Sequence, residues 1–211
     1  MIIERLKQAL NTDLPGVEAQ KLMAPIPLTK GIGPVILPDV PQDARRNGVL
    51  LSLTGDSIDN LEFLLTLRSS KLPSHAGQLS LPGGGIEAGE SPEHTALREA
   101  REEVGLRMDT DDLLGHLTPI FVPHSYNFIH TWIGWTPERQ PLKLQQDEVE
   151  EAFYVPVRHL LDISNLKSEI WNLRGMQMEV PYWDVHKVPL WGATAMILSE
   201  FVELVKMMER V

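Results

Sequence analysis

The stretch that most constrains this chain is GQLSLPGGGIEAGESPEHTALREAREEVGL, residues 77–106. Gly83, Gly84 and Gly85 form a glycine-rich turn, and Ser91-Pro92 reads as an N-cap with proline at the first helical position. The pattern closes at Gly105, the residue type that most easily takes the left-handed conformation ending a helix. A helix is therefore predicted from Pro92 to about Val104. On it, Glu99 and Glu103 lie one turn apart with Glu102 beside them, a stripe of about 100°. The opposite stripe, Leu97, Ala100 and Val104, suits packing on a sheet.

Like charges on one stripe destabilise a bare helix by roughly a few tenths of a kcal/mol per pair. Arg98 and Arg101 offset some of that, and a divalent cation fits the clustering better. A glutamate-rich helix face is ordinarily just solvated, so the three glutamates alone define no site. The spacing is more telling. Gly84, Glu90, Arg98, Glu99, Glu102, Glu103 and Gly105 coincide by chance on the order of one time in 10⁸.

The chain has 211 residues, 43% of them hydrophobic, which suits one domain of generous size with a real core. It has no cysteine, which excludes disulfides, thiolate metal sites and a cysteine nucleophile. A metal must then be held by oxygen or imidazole, which points to Mg²⁺ or Mn²⁺. The net charge of -10 argues against a nucleic-acid partner. An anionic small-molecule substrate would need local basic groups or metals to attract it. No apolar run reaches the ~18 residues of a membrane span. Mixed charge in MIIERLKQALNTDLPG, no signal-peptide core and no peroxisomal tripeptide in MMERV lead to a cytoplasmic expectation.

Ile2, Ile3, Leu6, Ala9 and Leu10 repeat at helical spacing, with Asp13-Leu14-Pro15-Gly16 as the stop. Residues 24–47 carry five prolines and read as an extended surface wrap. Residues 48–53 and 61–67 read as a hairpin. Strands follow at 114–122, 128–136 and 152–155, with a helical segment at 157–161. A second hairpin spans 170–173 and 178–185 around Arg174-Gly175, and a last helix carries Ala195, Leu198, Phe201, Val202 and Val205. Strands and helices mix without strict alternation, which suggests an α/β fold with a mixed sheet and helices on both faces. An N-terminal helix and Pro-rich extension (1–47) would pack on a main domain (48–211).

Gly84-x5-Glu90-x7-Arg98-Glu99-Ala100-x-Glu102-Glu103-x-Gly105-Leu106 resembles a complete Nudix box. The resemblance implies a Nudix-type α/β/α sandwich that cleaves a nucleoside diphosphate linked to another moiety. It implies that Glu99, Glu102 and Glu103 bind metal, that the carbonyl of Gly84 adds a ligand, and that Glu90 and Arg98 brace the turn against the helix. Divalent ions would neutralise the diphosphate and activate water, with a carboxylate among Glu102, Glu103 and Glu148 as general base. Glu148, in the run QQDEVEE, matches the position from which a later loop approaches the metals in many such enzymes.

Upstream, LLTLRSSKLPSHAGQLSLPGG resembles the added signature of the coenzyme A diphosphatase branch. That branch is implied to split coenzyme A or its derivatives into 3′,5′-ADP and (acyl-)4′-phosphopantetheine. This chain departs from it in having Pro73 where the branch has arginine, and Leu81 where it has phenylalanine. Arg68, Lys71, His75 and Arg45 remain as candidate substrate contacts. Other readings stay open: a different nucleoside diphosphate derivative, or a non-catalytic nucleotide sensor. The expected partners are a small molecule and a second copy in a homodimer, with no nucleic acid and no membrane. Trp191, in WGATA, reads as core packing.

Overall fold

The computed structural model describes residues 2–12, 14–29 and 40–210. Its first half contains α1 (Ile2–Leu10), α2 (Gly16–Lys21), β1 (Ile26–Pro27), β2 (Arg45–Thr54), β3 (Glu62–Arg68), β4 (Leu79–Ser80), β5 (Gly83–Gly85) and α3 (Pro92–Val104). The second half contains β6 (Leu113–His116), β7 (Ile120–Val122), β8 (Asn127–Thr136), β9 (Val149–Pro156), α4 (Val157–Leu161), β10 (Leu166–Leu173), β11 (Met176–Trp183) and α5 (Gly192–Glu209).

Side chains alternate across the central strands, and that alternation builds two layers of core. Leu50 of β2 and Leu64 of β3 pack with Ala96, Ala100 and Val104 of α3. Their neighbours Leu51, Leu53, Phe63 and Leu65 point the other way, into a larger cluster with Leu6 of α1 and Phe201 and Val205 of α5. Each fully buried leucine or phenylalanine stabilises the fold by about 1.5–3 kcal/mol. The result is an α/β/α sandwich on a mixed sheet. β2 and β8 run parallel from Arg45↔Asn127 to Thr54↔Thr136, and the other pairings are antiparallel.

Gly48 brings α3 close to β2: a Cβ there would lie 2.3 Å from the Pro92 carbonyl oxygen. On the far side, the buried Glu200 of α5 accepts from Gln20 Nε2 (2.8 Å) and from the Thr118 backbone N–H (3.1 Å), tying α2 to the loop before β7. A separate small sheet orders β1-β11-β10. Its hairpin turns on two residues, Arg174 (φ 55°) and Gly175 (φ 81°), between the paired Leu173 and Met176. Two left-handed residues in a two-residue loop suit the right-handed twist of the strands.

Four expectations change. Pro15 and Gly16 open α2 rather than only ending the first helix, and α1 joins the main core through Leu6 and Leu10. β2 starts at Arg45, so it crosses the expected boundary at residue 47. The hairpin of β2 and β3 is paired only next to its turn, Leu53↔Phe63 and Thr54↔Glu62; farther along, β5 pairs with β2 and β4 with β3. The strand read at 114–122 is two strands, broken at 117–119, where Pro119 has no N–H to donate and Thr118 bonds to Glu200 instead. Of the Pro-rich wrap read at 24–47, residues 30–39 lie outside the described residues.

Candidate active site

α3 starts and stops as its sequence signals. Ser91 is the extended N-cap residue, Pro92 follows it, and Gly105 (φ 76°) closes the helix. The Ser91 hydroxyl does not cap the backbone; it meets His94 Nδ1 at 2.7 Å. The register of α3 places Glu103 three residues after Ala100 and seven after Ala96, on the buried face. Glu103 is only 3% exposed. Its carboxylate accepts from the Gly83 N–H at 3.2 Å, and Arg68 Nη1 stands 3.9 Å away. Burial pushes its pKa up to about 8, against the pull of Arg68. Burial also raises the pKa of Glu99.

Gly84 makes room for Glu99. A Cβ on Gly84 would lie 2.4 Å from Glu99 Oε1, so only glycine lets this carboxylate press against the turn. Arg98 organises the rest. It donates Nε to Glu90 Oε1 (2.9 Å) and Nη2 to Glu90 Oε2 (3.0 Å) and to the Gly85 carbonyl (3.2 Å). Its Nη1 donates to Glu99 (2.8 Å) and Glu102 (3.0 Å). Glu90 also accepts from Thr95 Oγ1 at 2.6 Å, and these bonds, the Arg98 bond first, lower its pKa to about 2. Arg98 and Glu90 therefore clamp the glycine turn to α3.

Glu148 reaches the same region: its charge contributes to raising the pKa of both Glu99 and Glu103. The residue is exposed, and its backbone carbonyl accepts from Ser69 N–H at 2.8 Å. Four carboxylates thus gather against one arginine clamp and one flanking Arg68. A hard divalent cation fits this donor set, because it is all oxygen and Arg68, 3.9 Å from the buried Glu103, offsets only part of its charge. Among the described residues, the carboxylates are not drawn into a ready-made chelate of three, since Arg98 grips Glu99 and Glu102.

Beside the carboxylates a cleft of about 320 Å³ opens at Gly83 and Gly84. Arg68, His75, His124 and Arg174 line it, and no aspartate or glutamate does. Asn47 Oδ1 and Arg68 Nε are buried there without a partner, which leaves an acceptor and a donor available to a ligand or water. Of the sequence candidates, Arg68, His75 and Gly84 line the cleft. Two others are not brought there. Lys71 is exposed and pairs with Asp147 at 3.5 Å, and Arg45 begins β2 on the surface, its N–H donated to the Tyr126 carbonyl.

Among the lining residues that the sequence reading did not place at a site are Asn47, His124, Arg174 and Trp191. Trp191 packs edge-on against Trp171 with ring centroids 5.2 Å apart and also lines the cleft. The only sequence signal was indirect. Arg174-Gly175 marked a turn, and WGATA was part of the branch resemblance, but nothing local placed either beside Gly84.

The mixed sheet, the glycine turn and the acidic helix form one unit whose family is named by comparison. The family model of the NUDIX domain matches residues 45–174, so the chain belongs to the Nudix hydrolase family. Over 142 residues the chain is 35% identical to the human mitochondrial coenzyme A diphosphatase NUDT8, covering 65% of this chain and 60% of that one. It is 36% identical over 132 residues to the Caenorhabditis elegans peroxisomal coenzyme A diphosphatase ndx-8, covering 60% and 56%. The chain spans 56% of the length of a probable Nudix hydrolase from Schizosaccharomyces pombe, to which it is 32% identical over 163 residues covering 76% of this chain. Among solved structures, a MutT/nudix family protein from Enterococcus faecalis superposes with a TM-score of 0.56 at 20% identity, covering 81% of this chain and 65% of that one. This likeness shows the fold. No helix of the described residues is long and apolar enough to cross a membrane.

Proposed function

We propose that this protein hydrolyses the diphosphate of coenzyme A or its derivatives, releasing 3′,5′-ADP and (acyl-)4′-phosphopantetheine. The observation that carries the reading is a cleft lined by basic and imidazole groups, free of carboxylates, that reaches Gly83 and Gly84, the turn against which Glu103 and Glu99 sit. In a chain of net charge -10 this is a local reversal of sign, suited to a polyanionic nucleotide. The names of the human and nematode relatives supply the coenzyme A part of the reading.

In this reading Glu99, Glu102 and Glu103, with the Gly84 carbonyl and Glu148, would hold Mg²⁺ or Mn²⁺. When bound, such an ion supplies charge neutralisation and Lewis acidity at the diphosphate. The chain's own groups do the rest. A carboxylate, Glu148 or one of the α3 glutamates, takes a proton from the attacking water. The water oxygen bonds to phosphorus while the P–O bond of the anhydride breaks, and the leaving phosphate keeps the electron pair. Arg68 faces the phosphates from β3, and the Arg98–Glu90 clamp keeps turn and helix in register.

Homodimerisation and a cytoplasmic location belong to the same proposal. β10 leaves one edge unpaired among the described residues, and self-pairing about Ser168 would set Lys167 opposite Glu169 of a second copy. Size-exclusion chromatography with light scattering tests the dimer, and fractionation of cells expressing the protein tests its location. The function is tested by incubating pure protein and Mg²⁺ or Mn²⁺ with coenzyme A, NADH, ADP-ribose and 8-oxo-dGTP. Preferred cleavage of coenzyme A supports the reading. Equal or faster turnover of any other substrate overturns it.

A further inference from the structure

We propose that His75, His124 and Arg174 form a second anion subsite, which takes a phosphate monoester carried by the substrate in addition to the diphosphate cut at the glutamates. The inference rests on the coenzyme A reading for the identity of the substrate, and on the structure for the place of the subsite.

The three side chains come from three separate segments. His75 lies in the loop between β3 and β4, His124 in the turn between β7 and β8, and Arg174 in the β10–β11 turn. All three line the same cleft as Gly84. The His75 and His124 rings stand 6.4 Å apart between centroids. Burial first, then the neighbouring Arg174 and His75, disfavours the charged form of His124. No ion pair engages any of the three among the described residues, and no carboxylate lines the cleft to neutralise them. A dianionic phosphate would supply the missing charge, with a guanidinium and imidazole N–H groups as donors.

The backbone is also unusual here. Among the described residues, the non-glycine positions with positive φ are His75 (55°), Tyr126 (58°) and Arg174 (55°). Two of these are members of the cluster, and the third lies two residues beyond His124. The left-handed region is uncommon for residues other than glycine and asparagine, and such strain tends to persist where a side chain must be aimed. Tyr126 is fixed by its hydroxyl, which donates to Asp43 Oδ1 at 2.8 Å.

The placement accounts for the departure at Pro73. The related branch carries an arginine one residue before Ser74, a lining residue of the cleft. Here Arg174 presents a guanidinium to the same cleft from the β10–β11 hairpin. The cleft, about 320 Å³, has room for part of a nucleotide between the α3 glutamates and this cluster.

The test uses Arg174→Asn, which keeps a residue tolerant of positive φ, and His124→Asn. Turnover of coenzyme A, which has a 3′-phosphate, is compared with that of dephospho-coenzyme A, which lacks it. The ratio of kcat/KM for the two substrates should fall about tenfold in each variant, the loss of one charge-assisted contact, through KM rather than kcat. An unchanged ratio overturns the subsite while leaving the coenzyme A activity standing. If the wild-type protein cleaves neither substrate, the functional reading falls and calorimetry decides the subsite alone. Adenosine 3′,5′-bisphosphate should bind the wild-type protein more tightly than adenosine 5′-monophosphate, and Arg174→Asn should erase that preference. Equal binding of the two nucleotides to the wild-type protein overturns the proposal.

Discussion

Gly84 and Glu99 fit together so closely that a single added carbon on the glycine would fall 2.4 Å from the carboxylate oxygen. The glycine turn and the acidic helix therefore act as one unit. In Gly84→Ala the Glu99 carboxylate must move, since the clash is with the functional group itself. Displacing a positioned group by about 1 Å costs on the order of 100-fold in rate, and kcat/KM should fall by about that much. Circular dichroism should show the fold retained. Wild-type turnover in this variant would dismiss the close approach as functionally idle.

Glu103 is the member of the cluster that the helix buries, and Gly83 N–H and Arg68 are its neighbours. Glu103→Gln preserves shape and removes the charge. Turnover should drop by about 10³-fold, within the range of a lost general base or metal ligand. The melting temperature should hold or rise, because a buried carboxylate is costly and a buried amide much less so. A large fall in melting temperature with turnover intact would assign Glu103 to structure rather than chemistry.

Much of this site was legible because its elements are local in sequence. Glu90, Arg98 and the α3 glutamates sit within one turn and one helix, where spacing alone decides which side chains share a face. The buried state of Glu103 was not legible. It depends on β2 and β3 covering the Ala96–Ala100 face, and the sequence stripe of Leu97, Ala100 and Val104 pointed to a slightly different register. The cleft was the least legible part. His124 and Arg174 are 50 residues apart in numbering and meet through the small sheet and the β7–β8 turn. Likewise, β2 and β3 looked like a simple hairpin because their distant partners β8 and β9 leave no local mark. Pro119 did leave one, since a proline within an apparent strand of 114–122 signals a break.

Gly48 is a second close-approach glycine that local reading passed over as the start of a strand. A Cβ there would meet the Pro92 carbonyl oxygen at 2.3 Å and Thr95 Cβ at 2.9 Å. Both belong to the first turn of α3, which cannot shift without moving the glutamates. Gly48→Ala should lower stability by about 1–3 kcal/mol, the usual cost of overpacking, in urea unfolding. Turnover should fall as well. Unchanged stability would mean that β2 and α3 separate freely, contrary to the close approach of Gly48 and Pro92.

The Glu90–Arg98 clamp predicts how stability responds to acid. The folded pKa of Glu90 is depressed to about 2 from 4.5, first by its bonds to Arg98 and then by Thr95. A carboxylate depressed on folding contributes stability that is fully present above its unfolded pKa and is lost as pH falls through the folded value. The window for this group therefore runs from about pH 4.5 down to about 2. Glu90→Gln removes the titrating group and half of the clamp. In urea unfolding at pH 6 the variant should be less stable than the wild-type protein, and the gap should narrow steadily as pH is lowered through that window. A gap that stays constant from pH 6 to pH 3 would show that the Glu90 charge contributes nothing to the clamp and that Arg98 is held by Gly85, Glu99 and Glu102 alone.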